Sequence, residues 1–353
     1  MSKAAIATAS VMFIITAFIV FVVWMISPNR VQKTNIRKYN YKTKVLAPNT
    51  PYRLMTYNIG YASGLKNNRE GFVPQGEVIA NLDKIALSMK EIGADIIAVQ
   101  EIDFNSHRTS RVDQLEYLAK KLEMPYAAYI VNWNKKYVPY PIGLNYKKHF
   151  GRMESGQAVF SRFPITKNSA HFLVKPLNKP FWYNLFYIGR AAQTVMLELS
   201  PSNAITIINV HLEAFHTATR EAQVQQLLTL AKETLPEFIM GDFNAVPPNA
   251  KWKTGFPDEP DADMRGDSTL KTLHEKSGLR EMIPEKEYDE NEKEYFSYPA
   301  REPNRRLDYI FYSDRMVCEK GTIDKNAGRG SDHLPAVGVF VMGRKREQPS
   351  VRA

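Results

Sequence analysis

Between Arg53 and Val341 short apolar stretches recur, and most of them carry a hydrogen-bonding or charged side chain at or near one end. Asn58 closes LMTYN, Glu101 closes DIIAVQE, and His211 stands near the end of AITIINVH. Asp242 and Asn244 end FIMGDFN, Asp308 lies in RRLDYIF, and Asp332 and His333 precede LPAVGVF. GQAVFSR and AQTVMLELS have the same strand-like character. Short apolar runs bounded by turn-forming residues are the signature of buried strands. Between them, Glu77–Ile92, Val112–Leu122 and Gln223–Lys232 place apolar residues at helical spacing. Strands alternating with helices require sheets covered by helices, which makes this an α/β layered domain. Taken singly, Asn58 or Asp242 reads as a turn former and His211 as a core histidine. Together they describe a site, because strand ends on a rigid scaffold bring distant residues to one place.

The composition of the 353 residues, 44% hydrophobic and 24% charged, is that of a folded chain with a large core. Cys318 is the only cysteine, which excludes an intrachain disulfide and a thiolate metal cluster. The net charge of +10 points to an anionic partner, a phosphate-rich lipid surface or nucleic acid.

Residues 4–26 form an uncharged apolar run. A helix needs roughly 20 such residues to cross about 30 Å of hydrocarbon. Trp24 sits near the end of the run, where an interfacial aromatic belongs. The run is long and ends in Ser27-Pro28-Asn29-Arg30 without a small-residue cleavage site, so it reads as an uncleaved transmembrane anchor. Lys3 precedes the span, whereas Arg30, Lys33, Arg37, Lys38, Lys42 and Lys44 follow it. That bias puts the catalytic part on the cytoplasmic side of a single-pass protein. Residues 27–51, basic and bracketed by prolines, read as a linker, residues 52–341 as one domain, and 342–353 as a polar tail. The prolines around Asp258, Glu259, Asp261 and Asp263 favour a solvated loop over a metal site there.

The ordered set TYNIG, VQE, SGQAVFSRFPI, INVHLE, MGDFN, RRLDYIF and SDHLP resembles the endonuclease/exonuclease/phosphatase superfamily. The members GDFN and SDH are short and weak alone, but the set spans residues 53–341 in order. The resemblance implies a four-layer α/β sandwich, two central sheets with helices on their outer faces and the site at one sheet edge. It also implies a phosphoesterase that uses Mg2+, with Mn2+ as an alternative ion. By that resemblance Glu101, helped by Asn58, holds the metal, and Asp332 joins the metal shell or a second cation. Asp242 is the base or water-orienting carboxylate, and Asn244 donates to the phosphate. His333 binds the scissile phosphate and is oriented by Asp308. His211 contacts the phosphate or acts as the acid, and Arg190, opening RAAQTVMLEL, resembles a phosphate-contacting arginine.

These assignments suit the chemistry. A phosphodiester repels nucleophiles, so hydrolysis needs a cation on the non-bridging oxygens and a base for the water. Hard oxygen ligands such as Glu101 and Asn58 suit magnesium.

Two segments, Trp133–Arg152 and Lys175–Arg190, interleave aromatics with lysine and arginine. Such loops insert at a membrane interface beside charged headgroups, stack on nucleic-acid bases, or simply pack onto the domain. The amino-terminal anchor favours a lipid substrate over nucleic acid. HLEAFHTATREAQ resembles the lipid-directed branch, which includes GPI-anchor-remodelling and sphingomyelinase-like relatives. A membrane-tethered nuclease is the enzymatic alternative. A catalytically silent binding scaffold is the alternative from another class, and it would not need to retain every metal and histidine position. Nothing in the sequence points to a protein partner.

Overall fold

The computed structural model describes residues 2–29, 34–66 and 71–343. Arg30, Lys33 and the tail from Arg344 lie outside the described residues. In chain order the elements are α1 (Lys3–Ile26), β1 (Thr34–Lys38), β2 (Tyr52–Asn58), α2 (Gln75–Ile92), β3 (Ile96–Asp103) and α3 (Gln114–Leu122). There follow β4 (Tyr126–Val138), β5 (Gly151–Ser161), β6 (Ile165–Phe172), α4 (Phe181–Phe186), β7 (Ala191–Ser200) and β8 (Asn203–His211). Then come α5 (Thr217–Thr234), β9 (Phe238–Asp242), β10 (Thr254–Phe256), β11 (Glu259–Asp263) and α6 (Thr269–Lys276). The chain closes with β12 (Arg280–Glu281), α7 (Glu285–Asn291), β13 (Asp308–Tyr312), β14 (Met316–Ile323) and β15 (Ala336–Met342).

The strands form a seven-stranded sheet, in the order β1-β4-β5-β3-β2-β15-β14, and a six-stranded sheet, in the order β12-β13-β9-β8-β7-β6. Each is mixed, with parallel pairing at β2–β3 and β8–β9. The period-2 alternation of each strand sorts its side chains between layers. Leu54, Ile96, Val159, Val195, Ile207 and Met240 turn inward and pack the two sheets against each other. Met55, Ile97 and Val99 turn outward under Leu82 and Ile85 of α2 and Leu115 of α3. On the other side Ile208, Ile239 and Phe311 meet Val224 and Leu227 of α5 and Leu273 of α6. The result is the four-layer α/β sandwich expected from the sequence.

Two expectations need correction. Within the supposed linker, Thr34–Lys38 forms β1 and pairs antiparallel with β4 at the edge of the larger sheet. Arg37 is tied to Asp113 and Glu116, and Lys44 to Asp95, so these cations brace the domain instead of decorating a free tether. The acidic stretch near Asp258 is a small hairpin, β10–β11, not an irregular loop. Arg305, fully buried, binds Asp258 at 2.8 Å and Glu259 at 2.7 Å, while Asp263 pairs with Arg265. Those carboxylates are neutralised by arginines, which accounts for them without a metal.

Candidate active site

Pairing register builds the centre of the site. His211 at the end of β8 lies opposite Asp242 at the end of β9, and Asp242 lies opposite Asp308 at the start of β13. Three adjacent strands thus end in a row of buried acid–base groups. Gly241 makes the row possible: a Cβ there would fall 2.0 Å from the Val210 carbonyl oxygen. The facing sheet supplies Asn58 at the end of β2, aligned with Gln100, and then Glu101. The β3–β5 register breaks between Val99 and Ile102, and Glu101 has φ 55. A bulge of this kind re-aims one side chain, and here it turns Glu101 toward His211, with Oε1 3.8 Å from Nε2.

The hydrogen bonds connect these groups. Asn58 Nδ2 donates to Asp242 Oδ2 at 2.9 Å, and Asn58 Oδ1 accepts from the Gly60 N–H at 3.0 Å. The Asn244 N–H donates to Asp242 Oδ1 at 2.9 Å, and its side-chain amide donates to the Leu212 carbonyl at 3.1 Å. His333 Nδ1 lies 2.9 Å from Asp308 Oδ2, which also accepts from Ser297 Oγ at 2.7 Å. Asp242 Oδ2 stands 3.4 Å from His211 Nε2 and 3.7 Å from His333 Nε2. Arg190 Nη1 approaches His211 at 2.8 Å from Nε2 and 3.0 Å from Nδ1.

The two histidines are held in opposite charge states. Burial pulls His333 down, but Asp308 and Asp242 outweigh it and lift its pKa to about 10. It is an imidazolium at neutral pH. His211 is pushed well below the usual histidine value, first by burial and then by Arg190 and His333. It is a neutral imidazole.

Asp332 stands beside Gly60, whose absent side chain leaves room for it: a Cβ on Gly60 would lie 2.8 Å from Asp332 Oδ1. Burial raises the pKa of Glu101 to about 7, with Asp332 the next contributor. Burial likewise raises Asp332. The half-buried Glu101 and the buried Asp332, beside Asn58 Oδ1, are a donor set that fits a hard divalent cation. Asp242, Asp308 and His333 also bring ligand atoms within 4.8 Å of one another. In that group, however, the His333–Asp308 hydrogen bond already engages one nitrogen and one oxygen.

All nine residues singled out from the sequence therefore surround one place. The Asn58 amide fixes Asp242. Sequence reasoning missed the residues that brace the site. Ser297 holds Asp308, with no local motif to mark it. Ser331 Oγ donates to the Asn58 carbonyl at 2.7 Å and accepts from the His333 N–H at 3.2 Å; it lies within SDH but had no role assigned. Glu213, fully buried and within INVHLE, accepts from the Tyr187 hydroxyl and is the largest charge holding Arg190 protonated.

Known proteins share this fold. The model of the "Endonuclease/Exonuclease/phosphatase family" matches residues 55–333. An inositol phosphosphingolipids phospholipase C of Schizosaccharomyces pombe is 27% identical over 208 residues, covering 48% of this chain and 46% of that protein. The chain thus matches less than half the length of that relative. An endonuclease/exonuclease/phosphatase from Beutenbergia cavernae shares the fold with a TM-score of 0.60 at 18% identity, covering 83% of this chain and 72% of the other. The human Nocturnin catalytic domain, solved with a bound sulfate anion, gives 0.54 at 18% identity, covering 90% and 99%. A mannosyl-6-phosphatase from Bacteroides thetaiotaomicron gives 0.54 at 16% identity, covering 82% and 100%.

Proposed function

The chain belongs to the endonuclease/exonuclease/phosphatase family, whose members hydrolyse phosphoesters, and from that premise we propose that it is a membrane-anchored phosphodiesterase acting on a phospholipid headgroup. The row His211–Asp242–Asp308, flanked by the cations His333 and Arg190, carries this reading. It gathers a carboxylate base, a fixed imidazolium and a guanidinium, the groups that hydrolysis of a phosphate ester uses.

In the proposed reaction Asp242, oriented by Asn58 and the Asn244 N–H, accepts the proton of the attacking water. The water oxygen bonds to phosphorus, and the bond to the leaving oxygen breaks. Arg190 and His333 hold the non-bridging oxygens, and His333, replenished as an imidazolium beside Asp308, gives its Nε2 proton to the leaving oxygen. His211, a neutral imidazole 2.8 Å from Arg190 and 3.4 Å from Asp242, contacts the phosphate beside them. A divalent ion held by Glu101 with Asp332 and Asn58 would neutralise charge on the phosphate, and magnesium suits these oxygen donors.

Two observations favour lipid as the substrate. The 24 residues of α1 are long and apolar enough to span a bilayer, and the fission-yeast relative is a phospholipase C of inositol phosphosphingolipids. The charge bias after α1 favours a cytoplasmic catalytic domain. The test is to reconstitute the full chain into liposomes of mixed glycerophospholipids and sphingolipids with magnesium and to measure released phosphorylated headgroup. Headgroup release that disappears in Asp242→Ala supports the reading. Degradation of plasmid DNA with every lipid untouched would replace it with the nuclease alternative.

A further inference from the structure

We propose that the β4–β5 hairpin tip and the segment around α4 form a second bilayer-contacting surface, continuous with α1, that holds the catalytic mouth against an anionic membrane; this rests on reading α1 as a membrane anchor.

The surface is apolar where a water-facing loop would be polar. Ile142 at the hairpin tip is 92% exposed, with Leu144 beside it equally open. Leu177 is 86% and Phe181 79% exposed, with Trp182 next to it. Clusters of this kind mark contact surfaces, whereas single exposed apolar residues mean little.

The exposure is imposed by bracing. His149 joins the Tyr137 hydroxyl through Nδ1 at 2.7 Å and the Gly143 carbonyl through Nε2 at 3.0 Å. Tyr140 packs on Phe150, and Phe150 on Trp133. Trp133 and Phe150 at the hairpin's base are buried, whereas Tyr140, Ile142, Leu144 and Tyr146 stay exposed. The α4 segment is fastened to the same base: Trp133 Nε1 donates to the Phe186 carbonyl at 3.0 Å, and Lys175 Nζ donates to the carbonyls of Asn184 and Tyr187.

The occupant follows from continuity with α1. The helix ends on β4, the arm that leads to the hairpin tip. The Lys136 N–H donates to the Ser27 carbonyl at 2.9 Å, and Lys135 Nζ to the Ile26 carbonyl at 3.2 Å. Asn29 Nδ2 donates to the carbonyls of Lys135 and Met153 at 2.8 and 2.9 Å. The end of a bilayer-length helix is therefore clamped to the arm that carries Ile142 and Leu144. Exposed Lys147 and Lys148 follow the tip, in keeping with anionic headgroups. The surface also reaches the catalytic site. Tyr187, just after α4, donates to Glu213, and the N–H of exposed Phe215 donates to the same carboxylate.

The test uses the full chain with Cys318→Ser and one new cysteine, Ile142→Cys, Phe181→Cys or, as a control, Leu235→Cys. Each carries an environment-sensitive fluorophore. The protein is reconstituted in phosphatidylcholine vesicles with added phosphatidylserine and with spin-labelled lipid as quencher. The expected result is a blue shift and quenching at 142 and 181 but not at 235. Probes at 142 and 181 that stay water-like and unquenched would overturn the proposal. So would a blue shift already present in lipid-free detergent that grows with protein concentration, which would assign the patch to a second copy of the chain. In parallel, Ile142→Asp/Leu144→Asp is expected to lower hydrolysis of bilayer-embedded substrate roughly tenfold or more, with hydrolysis of a soluble phosphodiester within about twofold. Equal rates on the bilayer substrate would overturn the proposal. Quenching at 142 and 181 without hydrolysis of any lipid would leave the docking surface standing and remove only the lipid-hydrolase reading.

Discussion

Asp308 and Asp242 are direct cross-strand partners, and the imidazole of His333 lies against both, 2.9 Å from one carboxylate and 3.7 Å from the other. Opposed like charges in a buried sheet destabilise it unless a cation stands between them. His333 is that cation, and the same arrangement lifts its pKa to about 10.

Asp308→Asn therefore removes the group that both orients His333 and keeps it charged. We expect kcat to fall by about 10²–10⁴-fold. The alkaline limb of the pH–rate profile should move toward neutrality, because His333 then deprotonates more easily. The stability sign follows from a folded pKa raised above the ordinary 6.5. The pairing contributes fully below pH 6.5 and is lost as pH rises through about 10. The melting-temperature gap between the metal-free wild type and His333→Gln should be widest in mild acid and close toward pH 10. A gap that widened with pH would show that His333 is not held as an imidazolium.

Glu101 makes the metal response depend on pH. Its carboxyl is raised from 4.5 to about 7 by burial and then by Asp332. In the metal-free chain its protonation stabilises the fold below pH 4.5, and that contribution is lost as pH rises through about 7. A divalent ion competes with the proton, so the melting-temperature increase on adding magnesium should be larger at pH 8 than at pH 5.5. EDTA should abolish turnover and reverse the increase. Glu101→Gln should flatten the pH dependence of the magnesium effect, and an unchanged dependence would remove Glu101 from the metal site.

The sequence revealed most where chemistry and periodicity coincide. Asn58, His211, Asp242 and Asp308 end or start strands whose apolar alternation is plain, so both strand and site residue were legible. The β1 strand was not, because TNIRK at a sheet edge is mostly polar and draws its stability from pairing with β4. The bulge that turns Glu101 inward left no mark, since DIIAVQE reads as a regular strand. Ser297 and Tyr187 escaped for a third reason. Each acts on a residue distant in sequence, and a single hydroxyl in a loop carries no pattern.

Glu213 is expected to position Arg190 without touching substrate. It is buried, bonded to Tyr187, and the principal charge keeping Arg190 protonated. Glu213→Gln removes the charge that compensates the buried Arg190 guanidinium, so it should lower kcat/KM by roughly tenfold to a hundredfold. Arg190→Lys should do at least as much harm, because a compact ammonium cannot reproduce the guanidinium fork. A Glu213→Gln enzyme with wild-type kcat/KM would show that Arg190 needs no carboxylate to stay in place.

Asn209 tests how the sheets are joined beneath the site. It is fully buried on β8, and its Nδ2 donates to the carbonyls of Val99 and Ala158 on the opposite sheet, at 3.1 and 3.2 Å. Its Oδ1 accepts from Gln100 Nε2 at 2.7 Å, and its Nδ2 also reaches Gln193 Oε1 at 3.2 Å. Gln100 is one residue from Glu101 and lies beside Asn58 in register. Asn209→Leu keeps the volume but orphans several buried polar groups, at about 1–3 kcal/mol each. Chemical denaturation should therefore show a loss of several kcal/mol, far more than an exposed substitution such as Lys147→Ala. The network is also the rigid floor under Glu101 and Asn58. Activity measured well below the melting temperature should thus fall together with the apparent magnesium affinity. A stable Asn209→Leu protein with unchanged magnesium affinity would mean that apolar packing alone sets the spacing of the two sheets.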